Sequence, residues 1–396
     1  MFKITIFAKV LKAFKYRIMP TRAQAELINK HIGSCRFVYN LALETKQRAY
    51  AGNRVNLSCF DLAKQLPGLK EECAWLKEIN SQSLQQSIIN MDTAFTKFFK
   101  GQTDFPKFKR KDARQSFNVP QNVLLKDGKL SIPKFKEGIK IIQHRAISGE
   151  IRQATISRTP TGKYFASILV DNKKELPNKK AIKEATTIGI DLGIKSFLIT
   201  SAGKAFDNPA FLKRSLSKLK YTQRKYSKHK GKRTKYILAS IHERVANQRK
   251  DFLHKASTQL IRENQSIAIE DLNIAGMVKN HCLARSISDA GWGEFVRQLE
   301  YKAEWYGRNI LRIGRFEPSS KTCSNCGNIN KDLTLQDREW TCSGCETVLD
   351  RDVNAAINIK NFALKNHLSA EHRLKNRNEL PTLVGVMTSE AATPLG

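Results

Sequence analysis

Apolar residues recur along this chain with periods that change from segment to segment, and those changes divide it. Residues 11–20 (LKAFKYRIMP) alternate apolar and polar positions and stop at Pro20, which predicts a strand. The preceding MFKITIFAKV either extends that strand or is a terminal addition. From Thr21 the spacing becomes three and four. Ala25, Leu27, Ile28 and Ile32, then Phe37, Val38, Leu41 and Leu43, predict a helix with Thr21 as its N-cap. Two more helical stretches follow at about 58–65 and 81–100, the second carrying Leu84, Ile88, Met91, Phe95, Phe98 and Phe99. Between 105 and 175 the pattern shortens to alternating runs broken by Gly, Pro and Asn. SFNVP, KLSIP, GIKII, EIRQATISR and KYFASILV predict antiparallel strands of a small barrel or sandwich. The polar, Lys-rich stretch 171–184 predicts a linker.

From Thr186 strands and helices interleave. TTIGIDLGIKSFLITSAGKAF predicts two or three strands, about 208–262 long basic helices, and 266–270 a strand. A helix at about 291–306, a strand at 310–314, a cysteine module and a short helix from about 351 complete the pattern. This alternation predicts a mixed α/β sheet covered by helices. Periodicity fades after about residue 366, and the tail 366–396 is expected to be flexible.

Charge narrows the function. The 396 residues hold 69 Lys+Arg against 36 Asp+Glu, a formal net charge of +33, which demands a polyanionic partner. The basic residues are spread over most of the chain, which favours nucleic acid over a membrane surface. No apolar run reaches the roughly 18 residues of a spanning helix. The N-terminus is too short and too Lys-interrupted for a secretory signal, so the expected location is the cytoplasm. Residues 213–250 carry 14 Lys/Arg against the single acid Glu243, with Tyr221, Tyr226 and Tyr236 interleaved. A solvated helix face is the ordinary explanation of such a run. The lack of acids for i,i+4 pairing instead favours a phosphate-facing groove, with Lys213, Arg214, Arg224, Lys225 and Arg233 as candidate contacts. FPKFKRKDARQSF (105–117) fits a phosphate clamp through Lys107, Lys109 and Arg110, with phenylalanines as stacking platforms; aromatic core packing is the competing explanation.

Cys323, Cys326, Cys342 and Cys345 form C-x2-C-x15-C-x2-C. Two such knuckles close a tetrahedral S4 shell around one structural Zn2+, leaving no open position for catalysis. Two strands share another feature. In Ile188-Gly189-Ile190-Asp191 and in Ile267-Ala268-Ile269-Glu270 the isoleucines face one way, and a very small residue precedes a carboxylate on the other face. If the strands are neighbours, two carboxylates meet over a cleared floor, and a divalent cation would offset their burial. Two acids that merely end their strands would look the same. A third carboxylate comes from Asp350-Arg351-Asp352, where Asp350 suits a helix N-cap and Asp352 the first turn. Asp289 is either an auxiliary acid near such a site or a helix N-cap.

The motifs IGIDLGIKSFLI, IEDLNIAGMVKN, SISDAGWGEFVRQLEYKAEWYG, SSKTCSNCG and DRDVNAAINI, with KAFKYRIMPT, GSCRFVYN, WLKEINSQSLQQ and DFPKFKRK before them, resemble the TnpB family. These are insertion-sequence proteins regarded as RNA-guided DNA endonucleases akin to type V CRISPR effectors, and the similarity covers about residues 11–365 in order. The resemblance implies an α+β multidomain fold: a small wedge-like β-barrel (1–20 and 105–180) with a helical recognition insert (21–104), then an RNase H-like (RuvC) α/β nuclease domain (185–314 and 350–365) with an inserted zinc ribbon (315–349). It implies Asp191, Glu270 and Asp352 as catalytic acids holding two Mg2+ (or Mn2+), Asp352 being chosen over Asp350 because it occupies the D-x-N position. It implies a guide RNA from the element's own end and double-stranded target DNA as partners of a monomeric ribonucleoprotein. Ser81, Gln85 and Asn118 would approach the bases of a short flanking motif. Two departures stand out: Cys345-Glu346 where the family has Cys-Gly, and Leu349-Asp350-Arg351-Asp352 where it has His-Asp-Arg-Asp. The rival readings are a zinc-ribbon regulator without catalysis, a conventional DNA transposase, and a sugar-kinase or actin-like ATPase.

Overall fold

Strand β1 (Lys9–Met19) ends at Pro20, and Thr21 caps helix α1 (Arg22–Asn53). The Thr21 hydroxyl accepts the Gln24 N–H at 3.3 Å while the Gln24 side-chain oxygen accepts the Thr21 N–H at 3.1 Å, a reciprocal cap that sets the start of the helix. Helices α2 (Cys59–Lys64) and α3 (Leu66–Glu72), a 3-10 turn (Ala74–Glu78) and α4 (Ser81–Phe99) follow. Ile28, Ile32, Val38 and Leu43 of α1 meet Leu84, Ile88 and Met91 of α4 in one buried cluster. Within the expected helical insert the sequence marks no separate element over 66–78, because one or two turns are too short to display a period.

Strands β2 (Gln115–Val119), β3 (Leu124–Lys126), β4 (Lys129–Ser131), β5 (Ile139–Ile142), β6 (Glu150–Arg158) and β7 (Tyr164–Glu175) join β1 in a seven-stranded antiparallel sheet. Its order is β2-β6-β7-β1-β5-β4-β3, and its end strands β2 and β3 are not paired with each other. Strand β7 runs five residues into the expected linker. Its polar end is pinned by Asp171, whose buried carboxylate accepts from Arg152 at 2.8 Å and from the Lys173 N–H at 2.9 Å.

The computed structural model describes residues 9–334 and 336–378, in two compact units that divide after Glu175. The second unit contains β8 (Thr187–Leu192), β9 (Ser196–Thr200), β10 (Ala205–Asp207), α5 (Phe211–His229), α6 (Lys232–Glu263) and β11 (Ser266–Glu270). It continues with α7 (Ile274–Met277), α8 (Ala284–Ala290), α9 (Trp292–Tyr306), β12 (Asn309–Ile313), β13 (Glu339–Thr341), β14 (Val348–Asp350) and α10 (Arg351–Asn378). Its main sheet has the order β10-β9-β8-β11-β12, with β8, β11 and β12 parallel and β9 and β10 antiparallel. Ile190, Ile267 and Ile269 pack on one face with Leu253 and Leu260 of α6 and Phe295 and Leu299 of α9. On the other face Ala268 and Ile313 pack with Ile359 and Ala363 of α10. The predicted period of two is therefore what separates the two helical layers.

Helix α10 is longer than its sequence pattern suggests and continues to Asn378. Its last buried apolar residue among those described is Ala363, so the pattern fades where packing ends and the helix does not. The rest of the expected tail, 379–396, and the first eight residues lie outside the described residues. Among the described residues no helix is long and apolar enough to cross a membrane.

Candidate active site and metal centres

Strands β8 and β11 run side by side with Ile190 opposite Ile269, and each strand carries an acid at the next position, Asp191 and Glu270. The small residues that precede these acids do not clear a floor for a ligand, which corrects the sequence expectation. A Cβ at Gly189 would lie 2.0 Å from the Ala356 carbonyl oxygen and 2.8 Å from the Lys360 nitrogen. The backbone of α10 occupies that face. Glycine permits the close approach, and the approach carries the first turn of α10, with Asp352, towards the two strand acids.

Asp350 caps this helix as predicted: its Oδ1 accepts the N–H of Asp352 at 3.0 Å and of Val353 at 2.8 Å. Asp352 itself faces Arg338, Nη1 to Oδ2 at 3.2 Å. Glu270 accepts a hydrogen bond from the Ser319 hydroxyl at 2.5 Å. Asp191 is pushed up to about 7, first by desolvation, then by the negative charges of Glu270 and Asp352, with Arg351 opposing. Residues from three distant segments thus lie within electrostatic reach of one another, and together they form a hard-oxygen donor set suited to Mg2+ or Mn2+. Their oxygens do not draw as close together as the thiols do. Among the described residues, the four cysteine sulfurs are the potential metal-ligand group that lies entirely within 4.8 Å.

The thiols pair as Cys323–Cys345 at 3.7 Å and Cys326–Cys342 at 3.5 Å. The Thr347 hydroxyl and N–H and the Asn325 amide bring Cys345 down to about 6, and the Gly344 N–H approaches Cys342 at 3.4 Å. Four soft donors with amide support fit one structural Zn2+. The two knuckles bend through left-handed residues, Gly327 (φ 80°) and Glu346 (φ 57°). The Glu346 departure therefore places a side chain where glycine would be unstrained. Strands β13 and β14 pair behind the knuckles, and the Leu349 departure falls in β14, where the side chain packs against the module's small core.

Sequence reasoning missed the residues that root this module. Asn354 donates to the Thr322 carbonyl at 2.7 Å, while Asn358 donates to the carbonyls of Ser319 at 2.7 Å and Thr322 at 2.6 Å. The Ser324 N–H returns a bond to the Asn354 oxygen at 2.9 Å. The available signal was two amides four residues apart on an otherwise apolar helix segment, Ala355, Ala356, Ile357 and Ile359.

Three family profiles match: residues 292–359 match "Cas12f1-like, TNB domain", 167–281 match "Probable transposase", and 10–54 match "Helix-turn-helix domain". The last label does not describe the local structure, which is β1 and one uninterrupted helix. A protein of Streptomyces pristinaespiralis named "Putative RNA-guided DNA endonuclease" is 40% identical over 362 residues, covering 89% of each chain. The chain belongs to the TnpB family of IS605-type transposon proteins. The InsQ protein of Escherichia coli K12, with the same descriptive name, is 29% identical and covers 89% of this chain and 92% of that one. A Cas12f1–sgRNA–target DNA complex matches in fold, with TM-score 0.53 and 15% identity, over 86% of this chain and 83% of that one.

The other predicted positions of this TnpB-family chain fare unequally. Lys213, Arg214, Arg224, Lys225 and Arg233 are exposed along α5 and the start of α6, and none pairs with an acid among the described residues. In the first unit Arg110 is held by Asp112 at 3.0 and 2.7 Å, Lys107 lies 3.8 Å from Asp104, and the Lys109 ammonium sits 3.7 Å from the centre of the Tyr39 ring. Phe117 is core and Phe105 meets Phe95 and Phe98 edge-on, as aromatic core packing expects, while Phe108 is half exposed. The Ser81 hydroxyl accepts from Lys70 at 2.5 Å, Gln85 is exposed, and Asn118 lines a cleft of about 500 Å³ between α1, α4 and β2. Asp289 is a cap, but of another helix: its carboxylate accepts the N–H of Leu212 at 3.0 Å and of Lys213 at 3.3 Å and pairs with Arg249 at 2.9 Å.

Proposed function

We propose that this chain is an RNA-guided DNA endonuclease whose cleavage centre is Asp191, Glu270 and Asp352. The observation that carries the reading is the packing of α10 on Gly189, which brings Asp352 towards the acids that β8 and β11 carry side by side, where burial and the two neighbouring acids push Asp191 up. A fold seldom concentrates negative charge in this way without a cation to neutralise it. Two Mg2+ ions bound there would activate water and stabilise the leaving oxygen of a phosphodiester. The three carboxylates would hold and space the ions, with Asp191 shedding its proton as they bind. The second unit would then be a RuvC-like domain carrying a zinc ribbon (315–349). The first would act as a wedge, its open sheet standing for the barrel, with helices 21–104 as a recognition insert.

Guide RNA and target duplex are the partners that the +33 charge and the exposed basic residues of α5 and the start of α6 support. Base pairing would read the target while Ser81, Gln85 and Asn118 approach a short flanking motif. To test this, the chain is purified with its RNA, the RNA is sequenced, and duplex carrying the matching target is incubated with Mg2+. Asp191→Ala is expected to abolish cleavage while RNA and DNA binding stay within a few-fold. Normal cutting by that variant would overturn the assignment. Binding without Mg2+-dependent cutting by the wild type would leave a nucleic-acid-binding regulator.

A further inference from the structure

Ser319 stands where the chain leaves the main sheet for the cysteine module, three residues before Thr322 and four before Cys323. Both its side chain and its backbone are engaged. The hydroxyl donates to Glu270 Oε1 at 2.5 Å, the N–H donates to the Glu317 carbonyl at 2.8 Å, and the carbonyl accepts from Asn358 at 2.7 Å. The residue is 7% exposed, so water does not compete strongly for these bonds. Thr322 is fixed in the same way, its carbonyl between the amides of Asn354 and Asn358 and its N–H on the Pro318 carbonyl at 3.0 Å. Asn354 and Asn358 belong to the helix that carries Asp352.

We propose that Ser319 is a positioning residue that fixes the Glu270 carboxylate, and that through it the cysteine site and the carboxylate site are coupled. The inference rests on the nuclease reading. A glutamate at a strand end has three side-chain torsions, and the charges of Asp191 and Asp352 drive its carboxylate away from them. A hydrogen bond to an anionic oxygen is among the stronger polar contacts, and this one opposes that displacement while leaving Oε2 with no protein partner among the described residues. Segment 318–323 ends in a thiol ligand, and modules of this kind lose their fold without zinc. Loss of zinc should therefore free Ser319 and, with it, Glu270.

The test titrates Mn2+ alone into the full chain bound to its RNA, without target DNA, and follows free Mn2+ by electron paramagnetic resonance. Ser319→Ala is expected to weaken Mn2+ binding about tenfold, the usual range for losing a partner of a metal ligand being about 10–100-fold. One zinc per chain and unchanged RNA affinity would show that the variant is folded. Ser319→Thr, which keeps the hydroxyl, should bind within about threefold of wild type, and Cys326→Ser, with its zinc reduced, should share the loss. Wild-type Mn2+ affinity in Ser319→Ala would overturn the positioning role. Wild-type affinity in the zinc-poor Cys326→Ser chain would overturn the coupling. A wild-type chain that neither binds Mn2+ nor cuts would instead remove the nuclease reading beneath both.

Discussion

The four thiols and the three carboxylates are assembled in opposite ways. Each C-x2-C pair is local in sequence and closed by a short turn, and the four sulfurs lie within 4.8 Å of one another on a module that Asn354 and Asn358 root to α10. Asp191 and Glu270 are set side by side by the pairing of β8 with β11, Asp352 is added by the packing of α10 on β8, and the three acids repel one another. A local site is built by its own turns. A non-local site of like charges is built against its own electrostatics, by whatever packs around it.

The largest expected effect falls on the acids. Asp191→Asn should lower cleavage by about a thousandfold or more, the scale of several kcal/mol of lost metal assistance. The same variant should be more stable than wild type without metal. Asp191 is raised to about 7 from the ordinary 3.8, so the folded state holds the proton more tightly than the unfolded state. The stability this contributes is present below about pH 4 and is lost as pH rises through 7. Melting curves with chelator from pH 5 to 8 should show the variant's advantage growing with pH. A difference that stays flat would break the contrast between the two sites.

Cys342→Ser should remove most of the bound zinc and expose the β13–β14 hairpin to protease, leaving the main sheet intact; metal analysis with limited proteolysis would check it. Gly189→Ala sharpens the other side. Its Cβ would meet the α10 backbone at 2.0 Å, so a destabilisation of about 1–3 kcal/mol and a disproportionate loss of cleavage are expected, read by denaturant unfolding and by rate. The smallest effect is a gain. Glu346→Gly should stabilise the module by about 1 kcal/mol by relieving a left-handed backbone, seen as slower zinc loss to a chelator.

The same contrast explains what was legible in the sequence. Strand alternation placed the isoleucines of β8 and β11 on one face and their acids on the other, and the cysteine spacing was readable because its geometry is local. The role of Gly189 was read backwards, since no pattern along one strand reveals which backbone will lie on it. Ser319, Asn354 and Asn358 were missed because single polar residues carry no period. The length of α10 was underestimated because periodicity reports packing, and this helix outlasts its packing. Of the two roles that the sequence left open for Asp289, the structure shows a cap, on a helix more than seventy residues earlier in the chain.

The pairing of β13 with β14 sets a measured distance between the knuckles and the nuclease helix. Glu339 is opposite Asp350, and the Arg351 N–H closes on the Arg338 carbonyl at 2.7 Å, so the outgoing strand enters α10 with no slack. Lengthening the chain between Cys345 and Asp352 by one residue would rotate that carboxylate off its face. The stretch 331–334 is tied in as well, with Leu333 buried in the module's small core and the Thr334 carbonyl accepting from Arg351 at 3.2 Å. An insertion on either arm of the module would therefore shift the register at which Asp352 enters α10.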